Sequence, residues 1–132
     1  MYLLDTNIVS AAIRGSAEVD ARLLLLESHE WCISAVTRAE LRYGLAKRPE
    51  ARKLAQVVER FLQLATTLAW DTAAADAHGR LRAQLHAAGT PIGEFDTMIA
   101  AHALALGATV VTDNVSDFGR VRDLQLENWL RD

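Results

Sequence analysis

Met1-Tyr2-Leu3-Leu4-Asp5-Thr6-Asn7 opens the chain, and a single carboxylate ending that apolar run decides how the rest is read. Tyr2 to Leu4 is short and apolar, as a parallel strand buried on both faces should be. Asp5 then stands at its carboxyl end. In open parallel sheets the crevice beyond the carboxyl ends of the strands collects ligands, and groups from distant sequence converge there. Working outward, Trp31 to Ser34 predicts a second strand, Thr67 to Ala69 a short third, the β-branched run Thr109 to Thr112 a fourth, and Leu124 to Glu127 a last one. Helical patterns cover Ala17 to Ser28, Thr37 to Lys47, Glu50 to Ala65 after the break at Pro49, Thr72 to Ala88 before Gly89, and a segment opening near Asp96 and ending at Gly107. The two helices around Pro49 should pack as a hairpin, and Thr90-Pro91-Ile92-Gly93 reads as a turn. Strands alternating with helical crossovers predict a three-layer α/β/α fold with a mostly parallel central sheet, one domain over residues 1–132.

Further acids fall where that geometry gathers groups. Glu40 and Asp96 open two helical patterns, and Asp113 and Asp117 follow the Val110-Val111-Thr112 strand with Asn114 between them. Each has a structural reading. Asp5 suits the N-cap of the next segment; Thr37-Arg38-Ala39-Glu40 is a capping box, with Val36 and Leu41 as its hydrophobic staple; Asp96 suits an N-cap; and the acids near Asn114 can cap a short turn while Phe118 docks on the core. Jointly they say more, because all lie on one edge of the predicted sheet, and four acids in one cleft repel strongly unless cations neutralise them. Oxygen ligands without dedicated nitrogen or sulfur partners favour Mg²⁺ or Mn²⁺ over zinc. His29, His78, His86 and His102 have no metal spacing, and neither a Gly-rich phosphate loop nor a nucleophile elbow is present.

Composition bounds the class. With 132 residues, 51% hydrophobic and 23% charged, the chain suits a globular domain, and its lone Cys32, inside an apolar run, predicts a buried thiol in a reducing compartment. The opening residues lack a basic leader and a long apolar segment, so a cytoplasmic protein without a membrane span is expected. A net charge of −3 gives no global argument for nucleic acid. Charge is uneven, however. From Arg38 to Arg60 the basic residues Arg38, Arg42, Lys47, Arg48, Arg52, Lys53 and Arg60 face only Glu40, Glu50 and Glu59. Such a stripe is either a solvated helix face or a phosphate-backbone contact, with Arg42, Lys47 and Arg48 as its substrate-binding candidates.

The motifs Leu4-Asp5-Thr6-Asn7, Ser34-Ala35-Val36-Thr37-Arg38-Ala39-Glu40-Leu41, Gly89-Thr90-Pro91-Ile92-Gly93-Glu94-Phe95-Asp96-Thr97-Met98-Ile99-Ala100-Ala101, Val110-Val111-Thr112-Asp113-Asn114 and Asp117-Phe118, in that order, resemble the PIN-domain ribonucleases, specifically the VapC-type toxins of toxin–antitoxin pairs. The resemblance spans nearly the whole chain, to Leu126-Glu127-Asn128-Trp129. It implies a Mg²⁺- or Mn²⁺-dependent endoribonuclease, often acting on tRNA, that pairs as a homodimer. A cognate VapB-like antitoxin would cover the site and carry any contact with operator DNA. The family's first three acids fall on Asp5, Glu40 and Asp96, with Asp5 and Asp96 as the metal positions. At the fourth the chain departs: Asn114 stands where an Asp is common, leaving Asp117 or Asp113 to complete the charge and Glu94 to add negative potential.

The mechanism this implies has Asp5 and Asp96 holding one divalent ion, with Glu40 and the acid near Asn114 orienting it or holding a second. Water then attacks phosphorus in line and leaves a 5′-phosphate and a 3′-hydroxyl. Two other readings share the acids. A phosphoaspartyl phosphatase of the haloacid-dehalogenase type also begins with Asp after its first strand, but its second acid would fall on Asn7. A non-catalytic domain binding RNA or protein would explain Asn114.

Overall fold

The computed structural model describes residues 1–131. Its strands are β1 (Tyr2–Leu4), β2 (Trp31–Ser34), β3 (Thr67–Leu68), β4 (Thr109–Val111) and β5 (Leu126–Glu127). They form one sheet in the order β3-β2-β1-β4-β5, and every pairing is parallel. Tyr2 registers with Trp31 on one side and Thr109 on the other, so β1 is the central strand. The strand order reverses between β1 and β4, which opens the ligand crevice at the carboxyl ends of those two strands.

Helices cover both faces: α1 (Thr6–Ile13), α2 (Ala17–Leu24), α3 (Ala35–Ala46), α4 (Arg52–Leu64), α5 (Thr72–Ala87), α6 (Glu94–Leu106) and the short α7 (Val115–Phe118). Strand alternation sorts the core between them. Leu3, Cys32 and Val110 face Ala77, Leu81 and Leu85 of α5 and Ile99 to Ala101 of α6, together with Phe118. Leu4, Ile33 and Val111 face the other way, onto Ile8 and Val9 of α1, Val19 of α2, and Val58 and Leu62 of α4. Cys32 is buried, as its apolar setting predicts. No helix among the described residues is long and apolar enough to cross a membrane.

Three expectations change. Thr6–Ile13 is a helix, where the sequence reading has only a turn or cap; Asp5 is its N-cap and accepts the Ile8 N–H at 2.9 Å. The helix predicted from Thr37 begins at Ala35, because the Ser34 hydroxyl caps it by accepting from Val36 N–H. The proposed capping box of Thr37 and Glu40 and its staple are therefore absent, and Glu40 lies inside the helix. Likewise α6 begins at Glu94 with Gly93 as its cap position, so Asp96 is a first-turn residue and not the cap. Smaller differences trim the ends: the helical run from Ala17 stops at Leu24, and the last strand shortens to Leu126–Glu127.

Candidate active site

Four elements deliver carboxylates to the β1/β4 crevice, and of the four acids only Asp5 also caps a helix. Asp5 is 2% exposed. Burial pushes its carboxyl up to about 6 from the ordinary 3.8, assisted by the charges of Asp96 and Glu40 and opposed by hydrogen bonds with the Thr112 side chain and the Ile8 amide. Two carboxylates that perturb a third must share its surroundings. Glu40, relieved of capping, accepts the Thr6 hydroxyl at 2.6 Å through Oε1, and the same hydroxyl lies 3.0 Å from that of Thr37. The first turn of α1 thereby aims a side chain of α3.

Asn114 organises the other half. Its Nδ2 donates to Asp96 Oδ2 at 3.3 Å and to Asp117 Oδ2 at 3.1 Å, while its backbone N–H donates to the Thr112 hydroxyl at 2.9 Å. Burial raises the Asp96 carboxyl above its usual range; Asn114 counters this and the Asp117 charge adds to it. Asp113 turns away. It accepts from Asn128 Nδ2 at 2.9 Å and from Arg131 Nε at 2.7 Å, and the Arg131 bond above all holds its carboxyl low. Of the two acids beside Asn114, Asp117 is thus the one in contact with the crevice group.

Glu94 is exposed on the first turn of α6. Of the basic candidates, Arg42 is ion-paired with Glu59 of α4. The Lys47 ammonium lies 4.9 Å over the Tyr43 ring. Arg48 and Lys47 line a groove that also includes Thr6, Arg14 and Glu40, so that end of the stripe adjoins the acids and Arg42 is engaged elsewhere. The sequence reading passed over Thr6 and Thr112, whose hydroxyls bind site carboxylates, and Arg120, whose Nη1 lies 3.6 Å from Asp117 Oδ1. For Arg120 the signal was present: a basic residue at i+3 from an acid on a short helix.

Among the described residues no three His, Cys, Asp or Glu side chains are gathered into one ligand cage. A hard cation needs fewer, since Mg²⁺ commonly takes one or two carboxylates and completes its shell with water and substrate phosphate. Asp5 and Asp96 fit that description: both are oxygen donors whose ionised forms are penalised by burial, and a neighbouring cation would offset the penalty.

Residues 2–124, which include β1 to β4, the crevice and all of these acids, match the family model described as PIN domain. The chain belongs to the PIN-domain family and, within it, to the VapC group. It is 38% identical over 128 residues to the tRNA(fMet)-specific endonuclease VapC of Salmonella typhimurium, covering 97% of each chain. The DNA-bound VapBC structure from Salmonella typhimurium superposes with a TM-score of 0.91 at 37% identity and 97% coverage of each chain. VapBC2 of Rickettsia felis, bound to a promoter DNA fragment, gives 0.90 at 34% identity, covering 97% of this chain and 98% of its own. The phosphatase reading of Asp5 finds no place in this family.

Proposed function

We propose that this chain is a divalent-cation-dependent endoribonuclease toxin that hydrolyses phosphodiester bonds of tRNA, with initiator tRNA first among its candidate substrates. That choice follows the tRNA(fMet) specificity of the Salmonella relative. The relatives crystallised as VapBC complexes support a VapB-like antitoxin as its partner, with operator DNA contacted through that antitoxin. A homodimer acting in the cytoplasm, where tRNA resides, completes the reading.

One observation carries the proposal: Asp5 is a buried carboxyl pushed up to about 6 and feels the charges of Asp96 and Glu40. Such a cluster is costly for stability alone and useful where a cation and a phosphate meet. Mg²⁺ or Mn²⁺, held by Asp5 and Asp96, would supply positive charge for the phosphoryl oxygens and lower the pKa of water. The chain's own groups do the positioning. Thr6 fixes Glu40 so that its remaining lone pairs accept from the attacking water, and Asn114 keeps Asp96 and Asp117 from parting under their mutual repulsion. Lys47 and Arg48, at the groove beside Glu40, neutralise the RNA backbone; Arg42 contributes less because Glu59 holds it.

The test is cleavage of a total tRNA pool by the purified chain with Mg²⁺ or Mn²⁺, beside a chelator control and a folded Asp96→Asn variant. Discrete fragments bearing 5′-phosphate and 3′-hydroxyl ends, absent from both controls, are expected. Fragments ending in 2′,3′-cyclic phosphate, or undiminished in chelator, would overturn the mechanism.

A further inference from the structure

A second cleft lies beside the acids, on the far face of the helix turn that carries Asp96. Glu94, Thr97 and Met98 of α6 form one wall, Pro91 and Ile92 the floor, and α5 the other wall, around about 340 Å³. At 100° per residue, Glu94 and Met98 point away from Asp96, so one helical turn serves both the crevice and the cleft. Along α5 the lining residues His78, Arg82 and His86 recur every fourth position, which stacks them on one face.

Three features give that face a direction. Arg82 forms no ion pair among the described residues, a condition it shares with Arg80 and most other arginines, and it is the one arginine in the cleft lining. Trp70 packs edge-on against His78 at 5.6 Å and donates its indole N–H to Met98 O at 3.0 Å, fixing the two walls relative to each other. Arg120 joins cleft to crevice: it pairs with Asp117 on one side and donates to Pro91 O at 3.2 Å on the other. Arg120 is therefore the cation between the acids and Arg82, and Glu94 is the one carboxylate in the lining.

We propose that this cleft receives a backbone phosphate of the RNA strand as it leaves the acid crevice, on the side opposite Lys47 and Arg48. The Arg82 guanidinium supplies a fork of donors matched to a phosphate, and an imidazole in either protonation state offers at least one N–H. The inference rests on the ribonuclease reading, and its test is a binding measurement, which separates the two.

Affinity for a labelled initiator-tRNA transcript is measured across a salt series, using the full chain carrying Asp96→Asn. Adding Arg82→Gln is expected to weaken binding about fivefold and to flatten the log–log salt slope by about 1, with a smaller loss for His78→Gln plus His86→Gln. Arg80→Gln, next along α5 but lining a different hollow with Asp76 and Asp123, should leave both quantities unchanged. In the cleavage-competent chain Arg82→Gln should raise KM about fivefold at constant kcat. An unchanged slope and KM would overturn the cleft's role, as would a change in sedimentation mass showing that it holds a second copy. RNA bound with the expected slopes but never cut by the wild type would sink the nuclease reading and leave the cleft standing. No RNA binding at all would sink both.

Discussion

The side-chain amide of Asn114 donates to Asp96 Oδ2 at 3.3 Å, placing a neutral donor where one more carboxylate would crowd the site. The same NH₂ reaches Asp117, so one amide joins two acids that otherwise repel. Asn114→Asp removes both donors and adds a charge. In chelator the variant should lose about 1–3 kcal/mol of stability. A divalent ion should recover more of it than it adds to the wild type, and thermal unfolding with and without Mg²⁺ measures the difference.

Asp5 sets a pH dependence of definite sign. Its folded-state value of about 6 lies above the ordinary 3.8, so the folded chain holds the proton more tightly. The associated stability is complete below the unfolded value and is lost as pH rises through about 6. A shift of that size corresponds to about 3 kcal/mol. Denaturant unfolding in chelator between these pH values should therefore show declining stability for the wild type and a shallower decline for Asp5→Asn, which keeps the helix cap and leaves the raised Asp96 carboxyl in place. Mg²⁺ should stabilise the wild type more on the alkaline side.

Thr6→Val tests whether Glu40 must be aimed. The hydroxyl lost is the one that holds Oε1, and its removal should lower kcat about tenfold while changing stability by only about 1 kcal/mol. Thr6→Ser restores the donor and should restore the rate; equal rates for Val and Thr would remove Thr6 from the site.

The basic stripe should divide at Arg42. Because Glu59 engages it, Arg42→Gln should alter the salt slope of RNA binding less than Lys47→Gln or Arg48→Gln does. Equal effects from all three would mean the ion pair yields to RNA.

Gly119 closes the turn that presents Asp117. A Cβ there would sit 2.6 Å from Val115 O, so the backbone must move to admit one. Gly119→Ala should cost about 1–3 kcal/mol, and a loss of activity larger than the loss of folded protein would show that the turn sets the acid's position.

The elements that were legible in sequence carry unambiguous local signals. Trp31 to Ser34 is a continuous apolar run and forms the predicted strand; Gly89 and Gly107 end their helices with φ of 71° and 68°. Thr6–Ile13 was not legible because Thr, Asn, Ile, Val and Ser are weak helix formers; the burial of Ile8 and Val9 and the Asp5 cap sustain it. The pattern Thr-x-x-Glu misled because Ser34, three residues earlier, offers an equally good cap, and burial of Thr37 decides between them. The choice between Asp113 and Asp117 depends on Asn128 and Arg131, partners that only the folded chain brings near.

The strand order also bears on the protein's synthesis. The central strand emerges from the ribosome before the other four, and the neighbour on its second side comes more than a hundred residues later. Until Thr112 and Asn114 have been translated, Asp5 has no Thr112 beside it and Asp96 has no amide to hold it. The contacts that settle Asp5 and Asp96 therefore cannot form before β4 and Asn114 have been made, and an antitoxin has that interval in which to be present when the crevice closes.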